Sequence, residues 1–162
     1  SVALVSLAYR RDDIGIPLDA SGFLVPRDAG LTITAASWTT TKWPHLDVDD
    51  QAVLRVSAGH HRDPGPVHLD DADLLGAITV DLHRTMGIDA PPAEVRVGRY
   101  LDGLPQYAVG HLDRIAAVEA ELRDVAAGLV TTGMAFRGVG IPACIRQGRT
   151  AARDALEVAA AR

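Results

Sequence analysis

A chain of 162 residues with 48% apolar, 23% charged and 4% aromatic side chains is balanced like an ordinary folded domain. At this size it can bury roughly 70% of the surface it exposes when unfolded. The formal charge of −5, with no basic run, excludes a phosphate-tracking surface, so no nucleic-acid partner is expected. Cys144 is the sole cysteine, which excludes an intrachain disulfide and points to a reducing, intracellular setting.

Residues 2–9 (VALVSLAY) have the β-branched and apolar content of a buried strand, closed by the turn residues Asp12, Asp13, Gly15 and Pro17. The run is too short to span a membrane and lacks a charged leader. Because the chain opens at Ser1 directly inside it, the sequence is expected to be a piece of a longer protein. Residues 22–26, 31–38 and 53–59 are the next predicted strands. They are separated by a turn at 27–30 and a loop around Trp43 and Pro44, and the four together predict an antiparallel meander.

A helix is predicted over 70–86: Asp70 offers the N-cap and Asp71 and Asp73 suit the positive end. Leu74, Leu75, Ile78, Leu82 and Met86 then share one face up to Gly87. After Pro91 and Pro92, residues 93–100 alternate as a strand with one buried face. A second helix is predicted over 112–127, with Leu112, Ile115, Glu119, Leu122 and Ala126 in register, Gly128 at its end and His111 capping or orienting its start. Residues 129–132 read as a short apolar strand. The last helix is predicted to start near Ile141 and Pro142 and to run to the C-terminus.

The segment 133–148, GMAFRGVGIPACIRQG, leads from a strand through small residues into a proline-started helix. Such a junction aims free backbone N–H groups at an electron-rich ligand. Gly138, Gly140 and Ala143 also fit a relaxed dinucleotide fingerprint with Glu157 as its acid. That fingerprint needs a further strand after the helix, and too few residues follow Glu157 to make one.

Other conspicuous side chains have plainer readings. Cys144 is expected to be a buried structural thiol. His45, His60, His61 and His68 lack metal-ligand spacing and are expected on exposed loops, so no metal is predicted. Trp38 and Trp43 read as packing and loop anchors, and Asp70, Asp71 and Asp73 as helix capping, since the rest of a calcium loop is missing.

Four segments in order, SGFLVP (21–26), GLTITAASWTTTKWPHL (30–46), LPQYAVGHLDRI (104–115) and FRGVGIPACIRQG (136–148), carry a more specific signal. Together they resemble the C-terminal half of the protoporphyrinogen/coproporphyrinogen oxidases, members of the flavin amine-oxidase superfamily. The resemblance implies an α+β chain. Residues 1–100, strands plus the helix 70–86, would end a mixed-sheet substrate domain. Residues 101–162 would supply the C-terminal completing segment of a Rossmann-like FAD-binding domain whose N-terminal half is absent.

By that resemblance Tyr100, Met134, Val139, Gly140, Ile141 and Pro142 contact FAD, with Tyr100 standing where relatives place tryptophan. Gly22, Leu24, Thr34, Ser57 and Ala58 line the substrate slot. The implied activity is oxidation of a porphyrinogen, coproporphyrinogen III or protoporphyrinogen IX, with oxygen in heme biosynthesis. The flavin supplies the chemistry, so no catalytic side chain is expected here. The arginine-rich and alanine-rich composition leans, within the family, toward coproporphyrinogen. The missing N-terminal half is the first expected partner, and the isolated chain is expected to bind FAD poorly and lack turnover. A cytoplasmic location, with peripheral membrane contact and homodimerisation both compatible, completes the expectation. The alternatives are another flavin enzyme, such as an amine oxidase or carotenoid desaturase, and a non-catalytic module binding a tetrapyrrole or a partner protein.

Overall fold

The computed structural model describes residues 1–47, 50–126 and 128–160, in two units divided between Leu104 and Pro105. In the first unit the alternation within β1 (Val2–Arg10) decides the layout. Ala3, Val5, Leu7 and Tyr9 are fully buried on one face, while Leu4, Ser6 and Ala8 are half-buried on the other, the period of two that a strand imposes. β1 pairs along its length with β4 (Gln51–Ala58) on one side and β5 (Glu94–Tyr100) on the other. β2 (Gly22–Leu24) and β3 (Ile33–Trp38) continue beyond β4, giving the order β2-β3-β4-β1-β5.

The predicted meander holds for β2, β3 and β4 but not for β1, which lies between β4 and β5. Length explains the difference. A nine-residue strand buried on one face needs partners that cover it; the eight-residue β4 and seven-residue β5 do so, and the three-residue β2 does not. Every pairing among the described strands is antiparallel, so the sheet is not mixed within them. β2 stops short of the predicted Pro26, which has no N–H to give the ladder.

Between these strands lie two single 3-10 turns, Arg11–Asp13 and Pro44–Leu46, and two one-turn helices, α1 (Thr39–Lys42) and α2 (Gly65–His68). The long helix α3 (Asp71–Met86) covers the buried face of the sheet. Its start is fixed by Asp70, whose carboxylate accepts the Asp73 N–H at 2.8 Å. Its end is fixed by Gly87 in the left-handed region, φ 63°. Leu74, Ile78, Leu82 and Met86 pack into one core with Val5, Leu7, Ile33, Leu54 and Val56, each such side chain contributing roughly 1.5–3 kcal/mol by leaving water. Asp81 is buried on the same helix face, and its carboxylate accepts the N–H groups of Thr32 at 2.6 Å and Ile33 at 3.0 Å. That grip ties α3 to the entrance of β3, which begins at Ile33 rather than at the predicted Leu31.

The core also holds an unpaired hydroxyl. Tyr9 Oη has no hydrogen-bond partner, and burial pushes its pKa from 10.0 up to about 12. Between those values the unfolded chain gives up a proton that the folded chain keeps, so stability falls as pH rises through the window. Tyr9→Phe is expected to add about 1 kcal/mol near neutral pH, by deleting a buried unsatisfied group. It should also remove the tyrosine's share of the alkaline decline, on the order of 2 kcal/mol. Urea midpoints of both proteins, taken below and within the window, check this; parallel pH profiles would contradict it.

The second unit contains α4 (His111–Val125) and α5 (Ile141–Ala160). His111, Ile115, Glu119, Leu122 and Ala126 form the less exposed stripe of α4, close to the predicted face, although Leu112 is exposed. The predicted end at Ala127 lies outside the described residues. Residues 129–132 form no strand, because a ladder needs a neighbour and no described strand runs beside them. None of the described residues of this unit is fully buried. No described helix is long and apolar enough to cross a membrane.

Candidate functional site

The junction singled out in the sequence is a turn, 133–138, followed by the entrance to α5. Three side chains hold it. Tyr107 Oη donates to the Met134 carbonyl at 2.6 Å and accepts the Gly138 N–H at 2.8 Å. His111 Nε2 donates to the Phe136 carbonyl at 2.8 Å. Gln147, in the second turn of α5, accepts the Arg137 N–H at 3.1 Å and donates to the Gly138 and Ala143 carbonyls at 3.0 and 3.3 Å. Gly138 takes φ 141°, and a Cβ there would come within 3.1 Å of the Ala143 methyl, so the turn lies close against the helix.

Arg137 forks onto the Glu119 carboxylate of α4, its Nε at 2.9 Å from Oε1. The guanidinium holds that carboxyl below its ordinary range. Both side chains are partly solvated, so the pair orients the turn more than it stabilises the unit. Between α4, α5 and residues 128–131 lies a cavity of about 660 Å³ lined by Glu119, Thr131, Phe136, Arg137, Gln147 and Asp154 among others. The Thr131 hydroxyl is buried with no partner.

Beyond the turn, Gly140 takes φ 99° with no atom within 4 Å of where a Cβ would stand. Its carbonyl accepts the first helical bond of α5, from Cys144 N at 3.0 Å. Helix geometry therefore leaves the N–H groups of Ile141 and Ala143 without an intrahelical acceptor, and Pro142 has none to place. Val139 is 50% and Ile141 77% exposed, so the entrance is open.

Five of the expected cofactor contacts, Met134, Val139, Gly140, Ile141 and Pro142, thus fall on one turn and helix start. Tyr100 belongs to the first unit, half-exposed at the end of β5. The expected substrate residues divide by sheet face. Leu24 and Ser57 lie on the face away from α3, both paired with Ala35 of β3, and Gly22 is on the same face two residues before Leu24. A bulge between Ile33 and Ala35 adds Thr34 to that face, where its hydroxyl lies 3.0 Å from Ser57 Oγ. Ala58 does not join them. Neighbouring residues of a strand point to opposite faces, and Ala58 is buried in the core at 0% exposure.

The predicted His111 cap is also corrected. Gly110, φ 77°, starts α4 with no side-chain cap, and the imidazole is occupied by Phe136. Cys144 is half-buried rather than buried. No group of three or more metal-ligating side chains occurs among the described residues. The Tyr107, Gln147 and Glu119–Arg137 anchors were missed in the sequence. No spacing in the sequence marks the first of them, because Tyr107 precedes α4 and grips backbone atoms of a distant turn.

The family model described as flavin containing amine oxidoreductase matches residues 1–156. The chain belongs to that family. Within the flavin amine oxidoreductases it is 37% identical over 156 residues to the coproporphyrinogen III oxidase of Bacillus subtilis, covering 96% of this chain and 33% of the relative. It is 33% identical over 159 residues to that of Staphylococcus aureus, with 96% and 34% covered. A solved structure from Exiguobacterium sp. 255-15, assigned as a protoporphyrinogen oxidase, superposes with TM-score 0.83 at 34% identity, covering 96% of this chain and 34% of that one. The chain spans about a third of the length of the relatives it matches. Flavin is the cofactor of the family.

Proposed function

We propose that this chain is the C-terminal part of an FAD-dependent porphyrinogen oxidase of heme biosynthesis, with coproporphyrinogen III favoured by its similarity to the coproporphyrinogen III oxidases. The observation that carries the reading is the open entrance of α5. There, Gly140 leaves uncrowded space before two backbone donors that the helix cannot use itself. That donor set suits the electron-rich pyrimidine edge of an isoalloxazine.

When bound, FAD supplies the ring that accepts hydride from a methylene bridge of the porphyrinogen, with oxygen as final oxidant. The chain's own residues do the rest. The Ile141 and Ala143 N–H groups stabilise negative charge at the ring edge, Gly140 allows close backbone approach, and Pro142 fixes the first turn. Val139 directly precedes that opening, and Met134 is joined to the same turn through Tyr107. The open sheet face, with Gly22, Leu24, Thr34 and Ser57, offers the small and aliphatic wall that a flat macrocycle needs.

The second unit exposes Val109, Leu112, Val125, Leu129 and Leu156, and no described strand runs beside its 129–132 segment. We assign that apolar surface to the rest of the same polypeptide, which would complete a Rossmann-like FAD domain.

Full-length protein is expected to purify with FAD and to oxidise coproporphyrinogen III. Gly140→Val, which fills the space before the helix, is expected to lower FAD occupancy by about tenfold or more. Flavin content and affinity equal to wild type in that variant would remove the basis of this reading.

A further inference from the structure

We infer that Tyr107 and His111 are positioning residues for flavin binding: a stacked clasp that sets the 133–138 turn and, through it, the entrance of α5. This inference rests on the flavin-edge reading above. The Tyr107 hydroxyl is used twice, joining the Met134 carbonyl at one end of the turn to the Gly138 N–H at the other. His111 holds the middle at Phe136. Its Nε2 carries the proton, because a carbonyl can only accept. The two rings stack with centroids 3.9 Å apart and planes 14° from parallel, so neither can shift without disturbing the other.

The clasp is not part of helix capping. Gly110 begins α4 without a side-chain cap, which leaves the imidazole free for the turn. Losing the tyrosine hydroxyl would release Met134 O and Gly138 N together. The turn would then populate several conformations, and flavin affinity would fall by the fraction that remains competent.

In the full-length protein, Tyr107→Phe keeps the stacked ring and deletes the bridge. It is expected to weaken FAD binding roughly tenfold, to lower the two-electron potential of the bound flavin and to alter its visible circular dichroism. A residue serving stability alone would lower the melting temperature yet leave the potential and spectrum of the remaining flavin unchanged. That result, or wild-type affinity, overturns the inference. If Tyr107→Phe does not accumulate as folded protein, His111→Gln and His111→Ala replace it. Glutamine retains a donor for Phe136 and is expected to keep most of the FAD affinity that alanine loses; equal losses overturn the inference. Gly140→Val separates the two readings. If it leaves flavin binding intact, the flavin-edge reading is at fault; if it abolishes binding while Tyr107→Phe does not, only the clasp is.

Discussion

Asp81→Ala is expected to destabilise the sheet unit by about 3–5 kcal/mol, enough to unfold much of it at ordinary temperature. The cost comes from what is left behind. Two backbone N–H groups, those of Thr32 and Ile33, point at the Asp81 carboxylate from the edge of the core. With the carboxylate gone they lose their acceptor at a place where Ile33 is fully buried and water has little access. Asp81→Asn keeps one acceptor oxygen and should lose about 1–2 kcal/mol. Chemical denaturation of the three proteins tests the ranking. An alanine variant melting within a degree or two of wild type would show that the carboxylate is not what joins α3 to β3.

Gly22→Ala is expected to cost about 3 kcal/mol or more, and to do so by detaching β2. Gly22 has φ 129°, and a Cβ there would fall 2.1 Å from the Ala36 carbonyl oxygen and 2.7 Å from Ser37 Cα. Both obstacles are backbone, so no rotamer change relieves them. With three residues and one partner strand, β2 can separate while the rest of the sheet survives. Faster amide exchange confined to β2 and β3 should therefore accompany the lower melting temperature. Gly30→Ala is the control: its φ is also positive, 65°, but nothing lies within 4 Å, so only the conformational cost of about 1 kcal/mol is expected. Equal losses in the two variants would mean that strain, and not the approach of β3, makes Gly22 necessary. Because Gly22 is also placed on the proposed substrate face, weaker porphyrinogen binding in this variant would follow from the displaced strand.

Local signals were the legible ones. Asp70 and Gly87 bracket α3 as their side-chain chemistry and backbone freedom require, and the alternation in β1 marks its buried face. Pairing was not legible, because which strands flank β1 depends on residues far along the chain. The 129–132 run has strand composition, yet composition cannot supply the neighbour that a ladder needs. Asp81 was within reach: it falls three residues after Ile78, on the apolar stripe of α3, where an acid is informative. At the candidate site, the small residues before α5 revealed the open helix entrance. The grip of Tyr107 and His111 on Met134, Phe136 and Gly138 is a set of side-chain contacts to backbone atoms, which no spacing rule encodes.

The central place of β1 also bears on how the unit assembles. During synthesis, Val2–Arg10 cannot take up its pairings in this sheet until Gln51–Ala58, and later Glu94–Tyr100, have emerged. Closing such distant pairs delays the reward for ordering the chain. In that interval its edges can accept another molecule's strand, which gives a chaperone a segment to protect.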